Sequence, residues 1–329
     1  MILAGDIGGT KTVLALYSIE SGVDGGATRE ARYRSADYPS LEEIVADFLD
    51  APGVQPAAAC FGVAGPVTGQ ESQITNLPWV ISADKIRKVS GIERVILLND
   101  LESIAIAVPH LHRDDYCTLN EGLGEPQGTI AVIAPGTGLG TAFLVWTGHG
   151  YKALASEGGH TSFAPGNMQE IELLKYLKRR YQHVSFERIC SGGHLPNIYD
   201  FFRDNRTYPE PAWLKEALDG TQDRTPVIVQ AALERKADIC EATLDMFVNI
   251  LGSAVSNMAI TILPRGGIYL GGGIPPRILE RLKQPDFLGA IANKGRFSAL
   301  CATMPVHVIM TPGAALCGAA WHGLAALSG

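Results

Sequence analysis

The feature that most limits what this chain can fold into is a strand, glycine turn and strand unit that occurs twice. Met1 to Ala4 is apolar, Gly5-Asp6-Ile7-Gly8-Gly9-Thr10-Lys11-Thr12 is rich in glycine, and Val13 to Tyr17 is apolar again. Thr129 to Ala134, Pro135 to Gly140 and Ala142 to Trp146 repeat that order. Short apolar runs separated by turn residues mark strands, and a pattern that recurs within one chain points to an internal duplication. Two related α/β halves are therefore expected, each opening on a hairpin.

Length and composition agree with this. At roughly 100 to 200 residues per domain, 329 residues suggest two domains. Charged residues make up 19% of the chain, hydrophobic residues 46%, and the net charge is −7. A disordered chain and a basic nucleic-acid binder are excluded by those values. The six cysteines are far apart, without a CxxC pair or a Cys/His spacing suited to zinc, and are expected to be reduced thiols. Asp6 interrupts the first apolar stretch and no basic segment precedes it, so no secretory leader is expected. Leu244 to Leu263 is the best membrane candidate, but Asp245, Asn249 and Asn257 favour a buried helix. The expectation is a cytoplasmic protein with neither a nucleic-acid nor a membrane partner.

Between the hairpins, Ser40 with Glu43 forms a capping box that opens a helix to about Asp50. Ala57 to Val63 reads as a buried strand, Ser82 to Val89 as a helix ended by Gly91, and Arg94 to Leu98 as a strand running into Asn99-Asp100 and a helix. Beyond them lie a helix from Gln169 to Tyr181 and a helical stretch from Pro226 to Leu263 that Gly252 is expected to interrupt. A strand from Gly267 to Leu270 leads into Gly271-Gly272-Gly273, and Pro275-Pro276 is expected to start a helix. Val306 to Met310 is a last strand before a helix of small residues.

Four places could carry chemistry. The first turn combines backbone N–H groups, Thr10, Thr12, Lys11 and the Asp6 carboxylate, a set suited to phosphate and Mg²⁺, although it lacks Walker A spacing. Gly136-Thr137-Gly138-Leu139-Gly140 repeats that chemistry, and a strand rather than a helix follows it, which argues against a dinucleotide fingerprint. Two such turns can hold the same phosphates from opposite sides. Asn99-Asp100 lies at the end of a buried strand, where Asp100 could accept a proton from a hydroxyl or the pair could cap a helix. Glu157-Gly158-Gly159-His160 and, later, Glu187 offer the carboxylates and imidazole that bind polyols, because each sugar hydroxyl can donate to one group while accepting from another.

In this order the chain resembles the bacterial glucokinases over nearly its whole length. The resemblance is carried by Gly5-Asp6-Ile7-Gly8-Gly9-Thr10, Thr75-Asn76-Leu77-Pro78-Trp79, Leu98-Asn99-Asp100, Pro135-Gly136-Thr137-Gly138-Leu139-Gly140, Glu157-Gly158-Gly159-His160, Phe186-Glu187-Arg188 and Gly271-Gly272-Gly273. It implies an α/β, two-domain actin-like ATPase (ribonuclease H-like) fold with an interdomain cleft. The small domain would comprise residues 1–110 plus 302–329 and the large one 111–301. It further implies ATP-dependent phosphorylation of glucose to glucose 6-phosphate with Asp100 as general base. Asn99, Asp100, Glu157, His160 and Glu187 would bind the sugar. Gly8, Gly9, Thr10, Lys11, Gly136, Thr137 and Gly138 would grip ATP, Asp6 would hold Mg²⁺, and Gly271, Gly272 and Gly273 would lie against the adenosine. The family's members are commonly homodimers. Lys11 stands where many glucokinases have Asn, and Thr-Lys-Thr is similar to the repressor/kinase (ROK) family, whose Cys-rich zinc motif is missing after His160. A kinase for another hexose of the ROK type and a non-catalytic sugar sensor are the alternatives.

Overall fold

The computed structural model describes residues 1–50, 55–74 and 77–328. Thr75 and Asn76, which carried part of the resemblance, lie outside them. Strands β1 (Ile2–Ile7), β2 (Lys11–Tyr17) and β3 (Ala27–Arg34) are followed by α1 (Leu41–Leu49), β4 (Ala58–Val63), the short strands β5 (Val67–Thr68), β6 (Glu71–Gln73) and β7 (Val80–Ser82), α2 (Ala83–Ser90), β8 (Arg94–Asn99) and α3 (Asp100–Ala107). Next come β9 (Tyr116–Asn120), β10 (Ile130–Pro135), β11 (Leu139–Trp146), β12 (Tyr151–Ser156), α4 (Met168–Lys178), α5 (Pro196–Asp204), α6 (Ala212–Asp219), α7 (Thr225–Leu233) and α8 (Asp238–Ile262). The order ends with β13 (Gly267–Leu270), α9 (Leu279–Leu282), α10 (Pro285–Ala292), α11 (Ser298–Ala302), β14 (Val306–Ile309) and α12 (Ala314–Ser328). Two compact units result: 1–112 with 142–155 and 311–329, and 113–141 with 156–310. Residues 142–155 thus group with the first unit, whereas the expectation had them in the large domain.

The first unit is built on a sheet in the order β3-β2-β1-β4-β8. β2 turns back antiparallel on β1, while β4 and β8 run parallel to it, with Ile7 level with Val63 and Val63 level with Asn99. Side chains alternate between the faces of a strand, and here the alternation is also one of size. Leu3, Ile7, Leu14, Leu16, Phe61 and Val63 pack with Leu41, Ile44 and Phe48 of α1 and Ile86 of α2. On the opposite side Ala4, Ala15 and Cys60 leave room for α12, which contributes Leu316, Ala319 and Ala320. A helix of Ala and Gly can approach such a face closely. Gly323 lies over Ile2 and Cys60, and Gly318 abuts the Ser103 carbonyl of α3, where a Cβ would fall 1.7 Å from the oxygen. The Ser103 hydroxyl donates to the Ala315 carbonyl at 2.7 Å. Capping follows the sequence: Ser40 Oγ accepts the Glu43 N–H, and Gly91 ends α2 at φ 69°.

In the second unit β10, β13, β14 and β9 lie side by side. β13 is parallel to both β10 and β14, and β9 is antiparallel to β14. Two expectations fail here. α8 runs unbroken through Gly252, and the interruption lies earlier, where Arg235 takes a left-handed φ of 54° between α7 and α8. Gly252 instead admits α10, since a Cβ there would stand 2.7 Å from that of Ala290. Pro275-Pro276 does not start a helix; proline disfavours helical geometry in the residue before it, and the chain forms a turn before α9. α8 is long and apolar enough to cross a membrane by length and composition, but Leu244, Phe247, Leu251 and Val255 are buried against protein.

The α3–α12 contact gives a direct test. Gly318→Ala forces backbone apart and should destabilise the fold by about 1 to 3 kcal/mol in denaturant unfolding. Gly289→Ala, in open space on α10, should be neutral or slightly stabilising.

Candidate active site

In the first unit the parallel register brings two of the sequence motifs to one sheet edge. The turn after β1 and the start of α3 are two strands apart, about 10 Å. Gly8 N–H donates to the Lys11 carbonyl at 3.0 Å and closes the turn. Ser35 braces it from behind, its hydroxyl donating to the Gly8 carbonyl at 2.8 Å and standing 3.0 Å from Thr12 Oγ1. Thr10 and Lys11 are exposed at the tip, and Gly8 and Gly9 are half-buried.

Asn99 takes the capping role that the sequence allowed it. Its Oδ1 accepts the Leu101 N–H at 3.0 Å, so it is the N-cap of α3, and its amide donates to the Gly65 carbonyl at 3.0 Å. Asp100 is thereby placed at the first helical position, with Oδ1 accepting the same Leu101 N–H at 2.9 Å. Both side chains thus accept the same N–H at the start of α3.

Asp6 is held in β1 opposite Val13. Burial pushes its carboxyl above the ordinary 3.8, and Lys11 offsets part of that rise. A carboxylate desolvated in this way gains from a cation beside it. Among the described residues no three His, Cys, Asp or Glu side chains cluster as a ligand set. One carboxylate next to a phosphate-binding turn is what Mg²⁺ commonly uses, with phosphates and water filling its octahedron, so Asp6 fits that ion.

The second unit brings together Glu157, His160 and Glu187. His160 Nε2 stands 3.9 Å from Glu157 Oε2 and 3.9 Å from Glu187 Oε1. Glu157 and His160 are exposed, while only 20% of the Glu187 side chain is. The loops carrying them are zipped together: Glu187 N–H donates to the Gly159 carbonyl, Phe186 N–H to Thr161, and Phe163 N–H to Val184. Gly159 is required, since a Cβ would lie 1.9 Å from the Leu139 carbonyl.

Glu187 also binds the second glycine turn. Its Oε2 accepts the Leu139 N–H at 3.0 Å, and a Cβ on Gly138 would come within 2.6 Å of that oxygen. Gly192 and Gly193 donate their N–H groups to the Gly136 and Thr137 carbonyls at 2.7 and 3.1 Å. On the other flank Gly271 N–H donates to Ile133, and Gly272, at φ 79°, packs on the Pro135 carbonyl. Three glycine-rich loops therefore converge at the ends of β10 and β13.

They open on a cavity of about 1100 Å³ whose lining includes Thr137, Gly193, His194, Arg224, Gly273 and Arg277. Cys190-Ser191-Gly192-Gly193, three residues on from Glu187, joins these loops, and its glycine pair is the signal that the sequence offers for it. Nothing in spacing pointed to Arg224 or Arg277, which reach the cavity through tertiary packing.

Asp6 yields a stability prediction. A carboxyl whose folded value exceeds its unfolded one carries no penalty at pH below both, and becomes destabilising as pH rises from 3.8 through the folded value. In metal-free buffer Asp6→Asn should therefore have a higher Tm than wild type at pH 7, with the gap closing on acidification below 3.8. A lower Tm at pH 7 would show that the charge is compensated in the fold.

The Glucokinase family model matches residues 3–325. A glucokinase of Nostoc sp. (strain PCC 7120 / SAG 25.82 / UTEX 2576) is 37% identical over 338 residues, spanning 97% of this chain and 99% of its own. A glucokinase of Chromobacterium violaceum is 37% identical over 324 residues, spanning 97% and 88%. Among solved structures, a glucokinase from an Antarctic psychrotroph superposes with a TM-score of 0.83 at 30% identity, covering 98% of each chain. A ROK family glucokinase from Streptomyces griseus, in complex with glucose and AMPPNP, shares the fold at TM-score 0.61 and 19% identity, over 98% of each chain. The fold is the actin-like ATPase fold, and the chain belongs to the glucokinase family.

Proposed function

We propose that this chain transfers the γ-phosphoryl group of ATP to the 6-hydroxyl of glucose. The observation that carries the site assignment is the grouping of Glu157, His160 and Glu187 around one imidazole, with Glu187 tied to a glycine turn. Carboxylates accept hydrogen bonds from sugar hydroxyls and the imidazole can donate or accept, so these three side chains can hold a pyranose in one orientation. We assign Asn99 and Asp100 of the first unit to the sugar as well.

Asp100 takes the proton of the 6-hydroxyl as that oxygen attacks phosphorus. Phosphoryl transfer leaves little other covalent work to the protein; its contribution is alignment and stabilisation of charge on the phosphate oxygens. The N–H groups of Gly8 to Lys11 and of Gly136 to Gly138 supply part of that stabilisation. Gly271, Gly272 and Gly273 border the adenosine. Mg²⁺, when bound, neutralises charge on the β- and γ-phosphates, and Asp6 would hold it through water. We infer a cytoplasmic homodimer as the working form; the six free cysteines are in keeping with a reducing compartment.

A coupled assay over a panel of hexoses with ATP tests the reaction, and turnover highest with glucose is expected. Asp100→Asn should lower kcat by at least about 10²-fold, the low end for a lost general base. Glu157→Ala should cost about 1 to 3 kcal/mol of glucose binding in calorimetry, because it leaves sugar hydroxyls unpaired. Near wild-type turnover in Asp100→Asn would remove that residue from its role.

A further inference from the structure

Between Glu187 and the nucleotide-side cavity runs a hydrogen-bond chain that none of the roles above uses. Arg188 Nη1 stands 2.8 Å from His194 Nε2, His194 Nδ1 stands 3.0 Å from Ser191 Oγ, and Ser191 Oγ stands 2.8 Å from the Glu187 carbonyl. Its direction follows from chemistry alone. A guanidinium only donates, so His194 Nε2 is the acceptor. The neutral imidazole then carries its proton on Nδ1 and gives it to Ser191, whose single proton goes to the Glu187 carbonyl. Burial and the neighbouring Arg188 cation both push the His194 imidazole below its ordinary 6.5, in keeping with that neutral form. Arg188 is fixed at the far end by its place over the Tyr181 ring, 4.7 Å from the centroid.

The loop that this chain braces makes three hydrogen bonds to the second glycine turn. Glu187 accepts the Leu139 N–H through its carboxylate, while Gly192 and Gly193 donate to the Gly136 and Thr137 carbonyls. His194 also lines the cavity beside Thr137 and Gly273. One short segment therefore holds a sugar-binding carboxylate at one end and the phosphate-binding turn at the other.

We propose that Arg188, Ser191 and His194 are positioning residues that couple nucleotide binding to sugar binding through the loop 187–193, with His194 as the relay. The inference rests on the roles proposed above for Glu187 and the second turn. Glucose seated on Glu187 holds the loop where Gly192 and Gly193 fix the turn, and a nucleotide in the cavity favours the same arrangement. By linkage each ligand then tightens the other by the same factor.

Calorimetry of Mg²⁺·AMP-PNP with and without saturating glucose measures that factor. Wild type should bind AMP-PNP at least about fivefold more tightly with glucose present, the low end for coupled sites. His194→Ala should bring the ratio close to one, and Ser191→Ala should do the same. His194→Asn keeps a donor for Ser191 but offers Arg188 no distant acceptor, so it should give an intermediate ratio. A purely structural role would lower Tm and leave the ratio alone. Ser191 is fully buried, so His194→Ala, at a half-buried position, decides the matter if the serine variant does not fold. A wild-type ratio of one, or an unchanged ratio in His194→Ala, overturns the coupling. Glucose bound as tightly by Glu187→Ala as by wild type overturns the assignment of Glu187 to the sugar instead, whatever the ratio.

Discussion

The glycine turns and the Asn99-Asp100 pair of the candidate site depend on one constraint of sheet geometry: parallel strands deliver their carboxyl ends to the same edge. β1, β4 and β8 run parallel in the first unit, and β10 and β13 in the second. A parallel pair cannot be joined by a two-residue turn, so crossovers intervene and the turns at the carboxyl edge are free to serve ligands. The hairpin that opens each half is the exception, and its tight turn brings backbone N–H groups to that edge. Asp6, Asn99 and Asp100 share the first edge, and the second gathers the turns at Gly136 and Gly271.

Glycine acts in this protein mainly by what it allows to come near. Gly138 makes room for a carboxylate, Gly159 for a carbonyl, and Gly318 for a neighbouring helix. These are three kinds of close approach, and each fixes a different piece of the site: the Glu187 side chain, the loop that bears His160, and the helix whose first residue is Asp100. Side-chain identity at the candidate site is thus supported by missing side chains elsewhere.

The features legible in the sequence were local ones. The turns after β1 and β10, the Ser40 cap, the Gly91 stop and the strand that ends at Asn99 depend on nearest neighbours and apolar period, and the fold keeps them. Gly252 and Pro275-Pro276 depart from the local expectation because a glycine within a helix and a proline pair have two outcomes each, which near neighbours do not decide; the close approach of Ala290 gives the glycine at 252 its packing reason. β9 pairs with β14 almost two hundred residues away, and no local signal announces such a pairing. For the site, residue types could name Glu157, His160 and Glu187, but the bond from Glu187 to Leu139 and the chain through His194 exist only once loops distant in sequence have met.

The contact of α12 with β1, β4 and α3 sets the order in which the molecule can be completed during synthesis. Residues 1–112 emerge first, yet one face of their sheet lacks its α12 cover until residues 314–328 have been made. The second unit draws on residues 113–141 and 156–310, so all of its parts precede the helix that seals the first. At ~5 to 20 residues per second the ribosome needs on the order of 10 to 40 s for the intervening chain. The first unit to leave the tunnel is the last to close, and through that interval the small-residue face around Ala4, Ala15 and Cys60 is without the helix that covers it in the finished fold.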